Sequence, residues 1–397
     1  MKILLYNDNY DEIGGVETYF KQLPQGLREL GHEVYIFSFS EKSSIKGYNF
    51  IYKKTKTNVF SRFFSSFIFN FRTYRLFKKC LKEVKPDIIH INHNFEYTNS
   101  ILLAIKKSKI PVIQSLHDYT IICPKGWCID KNWNECKGGF GLKCLRCIPF
   151  IHFIAYSLFY PLKVNFTKSV IKYFATGSKK FINKLKKQNF RNVFWLPYFV
   201  DFSYQKFTKN IKKEKNLILF VGRFREEKGP QYLIEAMPKI IKENNKARLI
   251  MVGDDILEKY LKMRVKKLNI EKNVEFVGRV PFKEIHKFYK KGSVIVVPSI
   301  WSEQFGNVGI EAMQYGTPAV GSDVGGIPEW LKDGKNGFLV PPRNPEKIAS
   351  AVLKILKNEK LAKKMGKFGM KMVLSEFSVE SHIKKLEKIY EHVITTS

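Results

Sequence analysis

The chain has no apolar run long enough to cross a bilayer. Its longest uncharged apolar stretch, Ile148 to Leu162, carries Pro149 and Pro161 near its ends, whereas a spanning helix needs about 20 residues. The opening MKILLYN lacks the pairing of a charged segment with an apolar one that marks a secreted chain, and reads as a short strand entering a polar loop. Both absences predict a cytoplasmic protein without a transmembrane segment. There is no internal repeat and no low-complexity tract, which argues against solenoids and disordered arrays. Acidic residues are also scarce, 36 against 69 Lys and Arg, leaving a formal charge of +33. Such an excess points to an anionic partner: nucleic acid, an anionic bilayer surface or a phosphorylated substrate. Heat adaptation produces Lys-rich chains too, so charge does not choose among these. What is present is a 44% hydrophobic composition spread over 397 residues, more than one core usually serves, and two domains are expected.

Apolar strands alternate with helical segments twice over. In the first half the strands read KILLYN (2–7), EVYIFSF (33–39), DIIHIN (87–92) and PVIQSLH (111–117). In the second they read NLILFVG (216–222), RLIMVG (248–253), VEFVG (274–278), VIVVPS (294–299) and PAVGSD (318–323). This order predicts an α/β protein of two Rossmann-like, doubly wound domains with mostly parallel sheets. The polar, Lys-rich stretch from Pro197 to Asn216 is read as the hinge between them. From Ser378 to Val393 apolar residues recur at helical spacing (Val379, Ile383, Leu386, Ile389, Tyr390, Val393), which predicts a helix with one buried face.

The chemistry concentrates in the second half. VGRFREEKG brings Arg223 to a strand end and Lys228 to the start of a helix opened by Gly229-Pro230; a fork of donors and a point charge together suit a diphosphate. PSIWSEQFGNVGIEAM places Glu303 in a loop, Gly306 and Gly309 around a turn, and Glu311 on the following helix. The backbone N–H groups of Phe305, Gly306, Asn307 and Val308 lie at that helix start, where an anion is favoured. Carboxylates beside a phosphate site suit hydrogen bonding to hydroxyls, one for a sugar and one for a ribose. Gly325-Gly326, with Glu329 just after, permits close approach of backbone to a ligand or forms a plain turn.

The ordered series Gly222-Arg223, Lys228-Gly229, Pro298-Ser299, Glu303 to Glu311, Gly316-Thr317-Pro318, Gly325-Gly326 with Glu329, and Gly337 resembles the C-terminal domain of glycosyltransferase family 4, dense over residues 216–342. The resemblance implies the GT-B architecture: an acceptor-binding domain over 1–200 and a nucleotide-sugar domain over 201–377, facing each other across a cleft, with a helix over 378–397 crossing back to the first domain. It implies retaining transfer from a nucleotide-sugar donor to a hydroxyl of a glycan, lipid-linked or lipid acceptor in cell-surface polysaccharide or glycolipid synthesis. Arg223 and Lys228 would hold the diphosphate, Glu303 face the donor sugar and Glu311 the ribose. Gly14-Gly15 before a helix resembles the family's glycine-rich loop, with Gly15 toward the donor phosphate. His117 stands where the family has a histidine touching the donor sugar, its near-neutral pKa assisting. His90 and His93 in IIHINH are read as facing one side, His93 toward the acceptor. No catalytic metal is expected, because the cations already neutralise the diphosphate. The competing readings are a sugar epimerase or phosphorylase of the same architecture and, from another class, a basic nucleic-acid-binding protein; nucleic acid is not the expected partner.

Two features fall outside the resemblance as a whole. Five of the six cysteines, Cys123, Cys128, Cys136, Cys144 and Cys147, crowd into an insertion over 123–147. In a cytoplasmic chain they suggest a structural zinc held by Cys123, Cys136, Cys144 and Cys147, with reduced thiols as the alternative. Phe60, Phe64, Phe67, Phe71 and Tyr74 recur at helical spacing beside Arg62, Arg72, Arg75, Lys78 and Lys79. They form either a core stripe or, with the run from Ile148, a peripheral contact with the inner face of an anionic membrane.

Overall fold

Strands covered by helices on both faces are apolar along their whole length. LILFV at 217–221 and VIVV at 294–297 are accordingly buried at every position. The computed structural model describes residues 1–10, 15–41, 49–53, 69–93, 98–200 and 213–397. Gly14, residues 201–212 of the expected hinge, and Phe60, Arg62, Phe64 and Phe67 of the aromatic stretch lie outside the described residues.

Two units emerge: Met1–Asn132 with Cys136–Leu196 and His382–Ser397, and Trp133–Glu135 with Pro197–Ser381. Divisions thus fall after Leu196 and after Ser381, and Trp133–Glu135 groups with the second unit.

In the first unit the strands are β1 (Lys2–Asn7), β2 (Glu33–Ser40), β3 (Phe50–Lys53), β4 (Ile88–His93), β5 (Val112–Ser115), β6 (Tyr173–Thr176) and β7 (Asn192–Trp195). They form one sheet in the order β3-β2-β1-β4-β5-β6-β7, with every pairing parallel. The helices are α1 (Gly15–Glu29), α2 (Phe71–Val84), α3 (Thr98–Ser108), α4 (Phe150–Val170) and α5 (Lys179–Lys186). Asn70 caps α2, its side chain accepting from the Thr73 N–H at 2.9 Å, as a helix N-cap does. The core gathers Tyr6, Phe37, Phe77, Tyr119, Phe174 and Phe181.

The second unit repeats the plan with β8 (Leu217–Val221), β9 (Arg248–Val252), β10 (Val274–Gly278), β11 (Val294–Val297), β12 (Ala319–Ser322) and β13 (Gly337–Val340). Its order is β10-β9-β8-β11-β12-β13, again all parallel. Its helices are α6 (Pro230–Glu243), α7 (Glu258–Lys267), α8 (Phe282–Lys291), α9 (Asn307–Met313), α10 (Ile327–Trp330), α11 (Pro345–Leu356) and α12 (Glu359–Glu376). The last helix, α13 (Val379–Thr396), buries Ile383, Leu386, Ile389, Tyr390 and Val393 and from His382 onward belongs to the first unit. No helix among the described residues is long and apolar enough to cross a membrane.

In each sheet the strand order reverses direction once, between β1 and β4 and between β8 and β11. Ligands of such folds bind outside the carboxyl ends of the strands at that reversal. Those ends carry Asn7-Asp8 with Asn92-His93 in the first unit, and Arg223 with Pro298-Ser299 in the second.

Candidate functional site

In the second unit the loop after β8 and the loop after β11 are locked together. Gly229 takes a left-handed φ of 69°, and a Cβ there would lie 2.0 Å from the Pro298 carbonyl oxygen. The Ile300 N–H donates to the Glu227 carbonyl at 3.0 Å. This contact sets Lys228 against the loop that carries Glu303. The buried Glu303 carboxylate accepts from Lys228 Nζ at 2.7 Å, Trp301 Nε1 at 2.9 Å and Ser299 Oγ at 3.1 Å. Burial alone would raise its pKa; the Lys228 charge and these three hydrogen bonds win, holding it below the usual carboxylate range. The cation and carboxylate assigned from sequence to different parts of a donor are therefore direct partners. Arg223 stands exposed just beyond β8, while Arg225 pairs with Asp255 at 2.8 Å.

Glu311 sits on α9, where Tyr289 Oη donates to it at 2.6 Å. Burial pushes its carboxyl up, and the Tyr289 hydrogen bond draws it part of the way back. The opposite shifts of Glu303 and Glu311 suit them to different partners. The turn between them is fixed from behind. Trp330 Nε1 donates to the Phe305 carbonyl at 2.5 Å, and Gly306 enters α9 with a left-handed φ of 82°. A Cβ at Gly309 would lie 2.1 Å from the Trp330 ring, so Gly309→Ala is expected to cost roughly 1–3 kcal/mol of stability as an overpacked site. A lowered urea midpoint together with weaker nucleotide binding would show the turn displaced; an unchanged midpoint would contradict the contact.

The Gly325-Gly326 pair approaches protein rather than ligand. A Cβ at Gly325 would lie 1.9 Å from the Glu303 carbonyl oxygen, and one at Gly326 would lie 2.2 Å from that of Gln304. The Gly326 N–H donates to the Glu303 carbonyl at 2.7 Å. These glycines thus shape the loop that presents Glu303.

In the first unit Gly15 opens α1. The expectation for His90 and His93 fails for a regular strand, in which residues three apart face opposite sides. A register shift pairs Tyr6 with Ile91 and Asn7 with His93, skipping Asn92, and both histidines come within electrostatic reach of His117. His90 is fully buried, with Nδ1 2.6 Å from Tyr390 Oη and Nε2 2.8 Å from Ser115 Oγ. His93 Nδ1 lies 3.5 Å from Asp8. His117 is not near neutrality: burial, then the neighbouring histidines, push its pKa down to about 3, which keeps the ring uncharged at neutral pH.

Beside these rings a pocket is lined by Asn92, His93, Gln114, His117, Tyr160 and Lys163, among others. Asn92 is buried with neither amide atom hydrogen-bonded, and Gln114 Oε1 also has no partner. Unsatisfied buried amides await a ligand or water with hydroxyl-like donors and acceptors. Burial pushes the Lys163 ammonium down to about 8, against the pull of Asp8 and Asp118.

Among the described residues no group of three or more His, Cys, Asp or Glu side chains is arranged as a metal site, while Cys144 lies within electrostatic reach of Cys123, Cys136 and Cys147. All six cysteines are free thiols. Cys128 Sγ donates to the Cys136 carbonyl at 3.2 Å, and Lys184 Nζ binds the same carbonyl at 2.6 Å. Hydrogen bonding from Cys128 draws the Cys136 thiol down to about 5, against its burial.

Residues 13–134 match the Glycosyltransferase Family 4 profile and residues 201–372 match Glycosyl transferases group 1. The chain belongs to glycosyltransferase family 4. An uncharacterised glycosyltransferase of Methanocaldococcus jannaschii is 28% identical over 409 residues, covering 98% of each chain. The N-acetyl-alpha-D-glucosaminyl L-malate synthase of Bacillus anthracis is 25% identical over 406 residues, covering 99% of this chain and 98% of that one. Sucrose-phosphate synthase from Thermosynechococcus elongatus shares the fold with a TM-score of 0.71 at 18% identity, covering 100% of both chains. HepE of Anabaena, solved with UDP-glucose, does so with a TM-score of 0.68 at 17% identity, covering 99% of this chain and 100% of that one.

This family 4 enzyme is a retaining glycosyltransferase of the GT-B fold that uses a nucleotide-sugar donor. Sequence reasoning named Ser299 only as a motif position and missed Trp301 and Tyr289, the other hydrogen-bond donors to the two glutamates. Ser299 and Trp301 were within sight in PSIWSE, where donors flank the carboxylate; Tyr289 gave no local signal. Asn92, Gln114 and Lys163 come from three separate elements and were legible only after folding.

Proposed function

We propose that the enzyme transfers a hexosyl unit from a nucleoside diphosphate sugar to a hydroxyl of a glycan or lipid-linked saccharide in cell-surface polysaccharide or glycolipid synthesis. The observation that carries this reading is the buried Glu303 carboxylate held by Lys228, Ser299 and Trp301 at the sheet reversal of the second unit. In this scheme Glu303 hydrogen-bonds the donor sugar, and Lys228 and Arg223 neutralise the diphosphate. The turn from Phe305 to Val308 supplies backbone donors, and Glu311 takes the ribose. Gly15 and His117 complete the donor contacts, and the pocket of Asn92 and Gln114 receives the acceptor.

Transfer proceeds on one face of the sugar. The bond from the anomeric carbon to the diphosphate oxygen breaks as the acceptor oxygen forms its bond from the same side. The acceptor proton passes to the departing phosphate, so no side-chain nucleophile is required. Charge growing on the leaving oxygens is met by fixed donors already in place.

A thermal-shift screen of UDP, GDP and ADP sugars tests the donor class, UDP sugars coming first because HepE was solved with one. A ligand at about 100 times its Kd adds about 2.7 kcal/mol to stability, so the matching donor is expected to raise the Tm by several degrees. No shift with any of them overturns the reading. Product analysis with and without acceptor separates transfer from epimerisation or phosphorolysis. Glu311→Ala is expected to weaken nucleotide binding by about tenfold or more through loss of a charge-assisted hydrogen bond; unchanged affinity removes Glu311 from the donor site.

A further inference from the structure

Helix α4 is apolar on two opposite sides, and among the described residues only one of them packs against the fold. Its inner side is fixed: Phe153 stacks on Phe140 at 5.3 Å, and Tyr160 Oη donates to the Thr120 carbonyl at 2.7 Å. Its outer side carries Phe150, Ile151, Ile154, Leu158 and Leu162, exposed at 69%, 76%, 48%, 62% and 66%. Four of these positions repeat every four residues, which aligns them along one stripe. The turn before the helix adds Leu142, exposed at 78%. A contiguous apolar surface of this kind marks an interaction site.

The charge around it identifies the occupant. From Cys136 to Val200 the chain has twelve Lys and Arg and not one Asp or Glu. Arg146 is exposed immediately before the helix. On the neighbouring α3, Lys106 lies 5.8 Å from the Phe166 ring of α4. A second copy of the chain would bring two uncompensated cationic surfaces together, whereas an anionic bilayer meets the apolar stripe with acyl chains and the cations with headgroups.

We infer that α4 docks this enzyme on an anionic lipid bilayer, its outer stripe lying at the boundary between headgroups and acyl chains. The inner side of the same helix contributes Tyr156, Tyr160 and Lys163 to the pocket with the unsatisfied Asn92 and Gln114. Docking therefore sets that pocket at the membrane surface and selects a saccharide carried on a lipid as the acceptor. This last step rests on the proposed transferase reading; the docking itself does not.

Co-sedimentation of the full chain with vesicles tests it, using phosphatidylcholine alone and phosphatidylcholine with phosphatidylglycerol. Binding is expected to the anionic vesicles, at least about tenfold weaker to the neutral ones, and weakened by salt. Ile151→Glu with Leu158→Glu is expected to lower partitioning by at least about tenfold without moving the thermal midpoint. Independently, Leu158→Trp is expected to add fluorescence that brominated lipid quenches beyond the wild-type level. Full binding by the double variant, equal binding to both vesicle types, or absence of the added quenching would overturn the proposal. A wild-type dimer in sedimentation velocity that the double variant turns into monomer would also overturn it, by making a second copy the occupant. Since the readout is lipid partitioning, its failure is distinct from failure to bind nucleotide-sugars.

Discussion

Lys228→Ala is expected to lower kcat by about 10²–10³-fold, the loss typical of removing one donor from a developing oxyanion. Lys228 is placed to act twice, through its own contact with the diphosphate and through Glu303. Without the ammonium 2.7 Å away, the buried carboxylate loses the largest influence opposing its desolvation. Its pKa then rises, and the residual activity should climb with pH as Glu303 ionises. The wild type should show no such climb, because its Glu303 is held below the usual range. Glu303→Gln preserves the shape while removing the charge, and a similar fall in kcat with little change in nucleotide affinity is expected. Stability separates the two roles of the pair. Removing one member of a fully buried pair costs about 3–5 kcal/mol, and less here because Lys228 is 24% exposed. The double variant Lys228→Met with Glu303→Gln should regain much of that stability and none of the turnover. A double-mutant cycle in urea, run beside transfer assays, measures both. Joint recovery of stability and turnover would make the pair purely structural.

The doubled α/β plan was legible because parallel strands buried on both faces print as apolar runs ending in Gly, Pro or polar residues. Each expected strand is present within two residues of its predicted start and end. The strands not foreseen, FIYK, YFAT, NVFW and GFLV, have four residues each and lie at sheet edges or next to them. Length alone does not separate them, since VIQS, VIVV and AVGS are as short; only the folded sheet shows these four as strands. The apolar stretch from Ile148 was visible, but only the fold shows that one side of it is already occupied and the other is not.

The sequence shows the residues of the candidate site but not the contacts among them. Lys228 and Glu303 are 75 positions apart, and their pairing depends on the fit of Gly229 against Pro298, which no local pattern encodes. Gly325-Gly326 read as either a ligand approach or a plain turn, because a glycine pair signals close backbone approach without saying to what. The histidines were misjudged for a related reason. Sequence shows that a ring can titrate near neutrality, whereas burial and neighbours decide whether it does.

Those buried rings lead to the second large effect, a loss of stability in mild acid. His90 and His117 are held at about 3 in the fold, chiefly by burial, against about 6.5 in the unfolded chain. Between those values the unfolded chain binds more protons, so their contribution is complete above about pH 6.5 and declines as the pH falls toward 3. From pH 7 to pH 5 each ring is expected to remove about 2 kcal/mol from the unfolding free energy. Glu303, whose pKa is lowered, contributes its loss only toward and below the ordinary carboxylate range, while Glu311, whose carboxyl burial pushes up, takes its proton more readily in the fold and offsets part of the histidine loss. Lys213 and Lys163, drawn down to about 7 and 8 by burial, act in the opposite window and make stability rise with pH above neutrality. The first element to respond should be α13. Its Tyr390 bonds His90 at 2.6 Å, and its His382 bonds Tyr19 at 2.8 Å, a ring packed 5.4 Å from His117. Urea unfolding across pH 5 to 7.5, combined with hydrogen exchange over residues 382–396, tests this directly. Protection there should fall before that of β8 and β11, and His90→Asn should flatten part of the slope. A pH-independent midpoint would mean that the rings are solvated or paired well enough to titrate normally.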